Sequence, residues 1–184
     1  MNKIFLFLFL CSQWVSAQKT DTTAIKIQLE AIRIRDQKTR TSGDSTAFMK
    51  YIDSTNLVQV EALIAKYGWL GKSFVGAWEN QTCFLVIQHS DSTTRARYLP
   101  VMQESVEKGE SDAADLALLQ DRVLMEQHKK QIYGSQVVFD KTGQNVFYPI
   151  EDEKNVNIRR AKVGLQPIEE YAKYFGIDYT PPKD

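Results

Sequence analysis

Two cysteines and two histidines in 184 residues, and a charge balance of 23 cations to 23 anions, are what this chain has least of. With only His89 and His128, a histidine-rich metal site is excluded. Cys11 lies in the apolar N-terminal run, and if that run is removed Cys83 stands alone, which excludes an intramolecular disulfide. Cys83 sits within CFLVI and reads as a small buried hydrophobe rather than a reactive thiol. The even charge lacks the basic stripe of a nucleic-acid binder and the basic cluster of a protein held on anionic lipid. No GxSxG, HExxH, EF-hand or P-loop pattern occurs, so no nucleophile elbow, metal or cofactor is implied. Beyond the first residues no segment approaches the roughly 20 uncharged apolar residues that span a bilayer, so no stable membrane anchor is expected.

The first residues read as an address. Lys3 precedes an apolar core from Ile4 to Leu10, and Val15-Ser16-Ala17 is a small-residue cleavage site, predicting an export signal cut after Ala17 and a periplasmic or secreted protein. Leu10 stands where a bacterial lipoprotein has a small residue before its cysteine, which argues against a lipid on Cys11. Losing Lys3 leaves 22 cations against 23 anions. Residues 18–184 are of a size for one globular domain with a single core.

Along that chain the apolar period is mostly helical. A helix is expected from an N-cap at Asp21 to Arg40, with Ile25, Leu29 and Ile32 on one stripe that continues onto Asp36. A carboxylate in line with a core stripe needs a partner, and Arg40, one turn on, supplies it. After a turn around Gly43, a second helical region carries Leu57, Val60 and Ile64, with Asp53 as an internal N-cap and Gly68 as its end. Residues 69–76 read as a loop whose Trp69 and Phe74 close over the core. Residues 77–89 read as a buried helix ending in Gln88-His89. A further helix starts at Asp91 or Ser92, with Pro100 either kinking it or marking its start. The next starts at Ser111 or Asp112, runs to about Lys130, and is apolar nearly all round, as a central buried helix should be.

After Tyr133-Gly134 the period changes. QVVFD and NVFYPI flank KTGQ, a hairpin pattern. Asn155 then caps a helix bearing Arg159 and Arg160, which stops at Gly164, and Pro167 occupies the first turn of a last short helix. The expected fold is mainly α (α+β), a single-domain helical bundle with one small β-hairpin near residues 136–150.

Several polar groups fall where the apolar pattern predicts interior. Asp36-Gln37 with Arg40, Asp53 with Asn56, Tyr67-Gly68-Trp69, Gln88-His89-Ser90-Asp91, Asp121-Arg122, QIYGSQ from Gln131 to Gln136, and Arg159-Arg160 through Val163-Gly164-Leu165 resemble the bacterial domain of unknown function family 6624. The resemblance covers nearly all of residues 18–184, in order. Leu70, where proline often follows Gly-Trp, and Ser135, where threonine is common, depart mildly from that pattern. The resemblance implies a domain identity and no activity.

The residues themselves leave three readings open. One is a pocket for an unknown polar or anionic small molecule, lined by Gln37, Arg40, Asn56, Gln88, Arg122, Gln131, Tyr133, Gln136 and Arg160, since arginines grip phosphate and carboxylate groups. The second is a hydrolase with His89 as general acid or base, oriented by Asp36 or Asp121. The third is a satisfied core network in which Asp36 or Asp121 pairs with Arg40, Arg122 or Arg160. A Cys83/His89 dyad is poorly placed, because six helical residues rotate one side chain about 240° from the other. His128 reads as a solvated residue near a helix C-terminus.

Overall fold

The computed structural model describes residues 3–182, with side chains from Thr22 onward. The expected export signal and its cut after Ala17 involve side chains outside the described residues. The chain divides into two compact units, residues 1–86 and 87–184, with the division near the end of one helix.

The first unit is helical. α1 spans Lys3–Thr41. No glycine or proline interrupts that stretch, so the helix is continuous through Asp21, where a start was expected. The stripe is as read: Ile25, Leu29 and Ile32 are buried, and so is Asp36. α2 spans Thr46–Tyr67 and opens at Ser45, whose side chain accepts the Phe48 amide. The internal N-cap at Asp53 is therefore corrected. Ser45 is the first capping residue after the Gly43 turn, and the helix it starts runs through Asp53, whose carboxylate is ion-paired with Arg40.

Gly68, at φ 78°, ends α2 as expected, its amide bonded to the Ile64 carbonyl at 2.8 Å. The following loop contains a single turn of helix, α3 (Lys72–Val75), between Gly71 and Gly76. α4 spans Ala77–Gln88. The core of this unit joins Leu29 and Ile32 to Val60, Leu70, Val75 and Cys83, with Trp69 and Phe74 packed against it. Each such fully buried aliphatic side chain contributes about 1.5–3 kcal/mol.

In the second unit α5 (Ser92–Glu107) starts at Asp91, whose carboxylate accepts the Thr94 amide at 2.9 Å. Pro100 lies inside α5 on its exposed side, so it does not mark the start. α6 spans Ala113–Glu126, packs on α5, and has no exposed residue along its length. It ends four residues short of Lys130. His128 turns left-handed at φ 58°, its amide bonds the Met125 carbonyl, and the Lys129 amide bonds the Leu124 carbonyl. This is the closing pattern glycine usually makes, made here by histidine.

The hairpin is where it was expected: β1 (Val137–Phe139) pairs antiparallel with β2 (Asn145–Phe147), Val138 opposite Val146. A 3₁₀ turn, Glu153–Asn155, leads into α7 (Val156–Lys162), and α8 (Ile168–Lys173) follows Pro167, which caps it from outside rather than sitting in its first turn. Ile150, Val156 and Ile168 form a small core with Phe147 and Tyr179 against it. The architecture is mainly α with one small β-hairpin. No helix among the described residues is long and apolar enough to cross a membrane.

Candidate functional site

The corner between α6 and the hairpin is built around one carboxylate. Asp121, fully buried, lies on the inner face of α6. Its Oδ1 accepts the amides of Ile132 at 2.7 Å and Tyr133 at 3.1 Å, and its Oδ2 those of Tyr133 at 3.1 Å and Ser135 at 3.0 Å. Gly134, at φ 68°, lets the chain curl this tightly, and a Cβ there would meet Ile168 Cδ1 at 2.4 Å. Burial pushes the Asp121 carboxyl above its usual range, and the Ser135, Tyr133 and Ile132 amides pull it back. Every contact on its oxygens comes from a donor, so the ionised form is the one this geometry satisfies. Asp121 thus has backbone amides where a pairing with Arg122 or Arg160 had been entertained.

Gln131, Gln136 and Arg160 belong to the same corner and spend their polar atoms inside it. Gln131 Nε2 donates to the carbonyls of Gln136 at 3.0 Å and Tyr148 at 2.7 Å, while its Oε1 accepts the Gln136 amide at 2.7 Å. Gln136 Nε2 donates to Ser135 Oγ at 2.9 Å. Arg160 donates to the Tyr133 carbonyl at 2.7 Å and the Gln166 carbonyl at 2.6 Å, and its guanidinium lies 4.9 Å from the Tyr171 ring centre. Tyr171 completes the arrangement by donating to the Ser135 carbonyl at 3.0 Å. Tyr133 enters it through its backbone, and burial followed by the Asp121 charge raises its phenol.

A second polar group in this unit is less complete. Arg95 of α5 donates through Nε to Glu126 Oε2 at 3.2 Å, through Nη2 to Glu126 Oε1, and through Nη1 to the carbonyls of Gln88 and Ser90. Its fork is therefore fully engaged. Arg122, one helical turn before Glu126, is not: its Nε is buried and has no hydrogen-bond partner. Burial, then the Arg95 charge, lowers the Arg122 guanidinium, with Glu126 and Tyr171 acting the other way. Gln88 Oε1 is likewise buried without a partner. His89 follows Gln88, half-buried.

The remaining expected residues lie in the first unit, between α1 and α2. Asp36, 1% exposed, accepts Gln37 Nε2 at 2.7 Å and lies 3.4 Å from Arg40 Nη2, which also pairs with Asp53. The pairing of Asp36 with Arg40 is the helix salt bridge that the spacing implied. Asn56, fully buried, accepts Arg35 Nε at 3.3 Å and Nη2 at 3.2 Å, which leaves its own Nδ2 without a partner.

The sequence pattern of the Family of unknown function (DUF6624) matches residues 19–180. The chain belongs to that family. No curated protein and no solved structure gives a significant match. In this DUF6624 chain the two departures from the expected pattern are both structural: Leu70 fills the first core, and Ser135 supplies one of the amides on Asp121. Sequence reading missed Arg95, Glu126 and Tyr171. Arg95 and Glu126 are 31 positions apart and become partners only because α5 packs on α6. The third, Tyr171, bonds the carbonyl of Ser135, 36 positions away.

What this DUF6624 chain offers chemically is thus of two kinds. The corner holds a charge that is already matched. In the Arg122 group, the Glu126 carboxylate that favours the Arg122 charge is hydrogen-bonded to Arg95, and Arg122 Nε has no hydrogen-bond partner.

Proposed function

We propose that this DUF6624 chain is a binding domain for a small polar or anionic molecule, taken up at Arg122 in the second unit. The observation that carries the reading is the buried Arg122 Nε without a hydrogen-bond partner. A half-buried guanidinium beside a like charge costs free energy, and an anion on its fork restores both hydrogen bonds and neutrality. A purely structural network accounts for the Asp121 corner and leaves Arg122 unexplained. Hydrolysis by His89 with Asp121 is disfavoured, because the Asp121 oxygens are occupied by amides and have little left with which to orient an imidazole.

Thermal shift with inorganic phosphate, sulfate and acetate tests the reading. At about 100 times its dissociation constant a ligand stabilises the native state by about 2.7 kcal/mol. The expected result is a rise in Tm that Arg122→Gln removes. A Tm indifferent to all three anions, or a rise undiminished in Arg122→Gln, overturns it. The reading includes export of the protein through residues 1–17, for which an N-terminus at Gln18 in protein recovered outside the cytoplasm is the check.

A further inference from the structure

We infer that α1 is the seam of a parallel homodimer, its outer face packed against the same face of a second copy of this chain. The helix carries two apolar stripes. Ile25, Leu29 and Ile32 face the core, whereas Ala24, Ile27, Ala31 and Ile34 are all exposed. At 3.6 residues per turn the two stripes are centred about 140° apart. Ile27 is 66% exposed and Ile34 57%. One stripe is what a core uses, and the second calls for a further contact. Its spacing, alternately three and four residues, is that of the a and d positions of a coiled coil. The alanines let two helix axes approach closely, and the isoleucines fill the layers between them.

The charges beside the stripe select a second copy as its occupant. With Ala24 and Ala31 at a and Ile27 and Ile34 at d, Glu30 takes a g position and Arg35 the following e position, and these two face each other across a parallel pair. Two copies therefore form two Glu30–Arg35 pairs related by the twofold axis. Both groups keep capacity for this. Glu30 accepts the Trp78 indole N–H on Oε2 at 2.9 Å, which leaves Oε1. Arg35 donates through Nε and Nη2 to Asn56 and Gln59, which leaves Nη1. An antiparallel pair would set Glu30 only against Thr23, Gln37 or Glu30 of the other copy. Trp78, 56% exposed and stacked on Arg33 at 3.5 Å, stands on the Glu30 side of the seam, and tryptophan and arginine are the residues that most often carry interface energy. Lys38, at the next a position, ends the apolar seam. Two heptads with one flanking tryptophan lie at the small end of stable interfaces, about 1,000 Å². The helices are already folded, so no ordering cost is added, and a micromolar dimer is expected.

Sedimentation equilibrium of the full chain from about 1 to about 200 μM spans that range. The expected result is a mass that rises from monomer to dimer, with dissociation constants at least about tenfold weaker in Ile27→Glu and in Ile34→Glu. Both substitutions fall at exposed positions, and an unchanged urea midpoint confirms that the fold is kept. A chain that stays monomeric throughout, or an association that both variants leave unchanged, overturns the inference. Direction is read from Lys38→Cys in a Cys11→Ser background. Parallel copies bring position 38 beside its equivalent, so mild oxidation is expected to give a disulfide-linked dimer that Ile27→Glu suppresses. A dimer that Ile27→Glu weakens but that does not cross-link through position 38 overturns the parallel pairing.

Discussion

The Tyr133 amide is shared between the two oxygens of Asp121, 3.1 Å from each. With Ile132 bonded on one side and Ser135 on the other, the loop from 132 to 135 wraps around the carboxylate. The charge of α6 therefore orders the entry to the hairpin, in the way successive amides form a concave anion site.

Replacing Asp121 by alanine strands three amides in a closed corner. Each unsatisfied buried donor costs about 1–3 kcal/mol, and with some relaxation the loss is expected to be about 3–5 kcal/mol. Asp121→Asn keeps one acceptor but points an amide donor at another donor, so an intermediate loss is expected. Urea unfolding with a constant m-value measures both. A loss below about 0.5 kcal/mol for Asp121→Ala, the range of ordinary surface changes, would show that the loop does not depend on this carboxylate.

How much of this was legible in the sequence varies by element. The core stripe of α1 was readable because Ile25, Leu29 and Ile32 repeat at helical spacing, and the Asp36–Arg40 pair followed from the next two turns of the same stripe. The hairpin was readable from its change of period. The start of α2 was not, because Phe48 and Tyr51 stack on each other at the surface and so blur the apolar period of the first two turns. Partners far apart in sequence were not legible either. Asp121 invited an arginine, and nothing in its local pattern says that amides 11 to 14 residues later would take that place.

The end of α6 offers a stabilising substitution. His128 holds φ 58°, a conformation that costs a residue with a Cβ about 1 kcal/mol or more and costs glycine almost nothing. His128→Gly is expected to raise stability by about 0.5–1 kcal/mol after the greater entropy of the unfolded chain is counted. The readout is the same urea midpoint, and a lower midpoint would mean that the His128 side chain contributes more than its backbone costs.

The cap of α5 gives a pH dependence with a definite sign. Hydrogen bonds from the Thr94 amide and hydroxyl lower the exposed Asp91 carboxyl below its usual range. A lowered folded-state value means the unfolded chain binds protons more readily. The cap's contribution is thus complete above the ordinary aspartate value, near pH 4, and is lost as pH falls through the folded-state value. Asp91→Ala is expected to cost about 1 kcal/mol at pH 7. That difference from the native sequence should shrink as the pH is lowered from 5 to 2, while Asp91→Asn, which caps without titrating, should show no such trend of its own. A gap between Asp91→Ala and the native sequence that stays constant over that range contradicts the assignment.

Cys83 tests the first core directly. It has no exposed surface, and burial pushes its thiol up to about 12, so almost none of it is thiolate at pH 8. Since the thiolate is the reactive form, a Cys11→Ser chain, in which Cys83 is the sole thiol, should react with an aromatic disulfide reagent only through opening of the core. The expected native-state rate is at least about 10³-fold below that of the urea-unfolded chain, in line with the 10³–10⁸ equilibrium constants of small domains. Leu70→Ala, which empties space in the same core, is expected to cost about 2–5 kcal/mol and to raise the native labelling rate by the corresponding factor, about 30-fold or more. Labelling of the native chain at a rate close to that of the unfolded chain would mean that Cys83 lies at a surface rather than among Leu29, Val60 and Leu70.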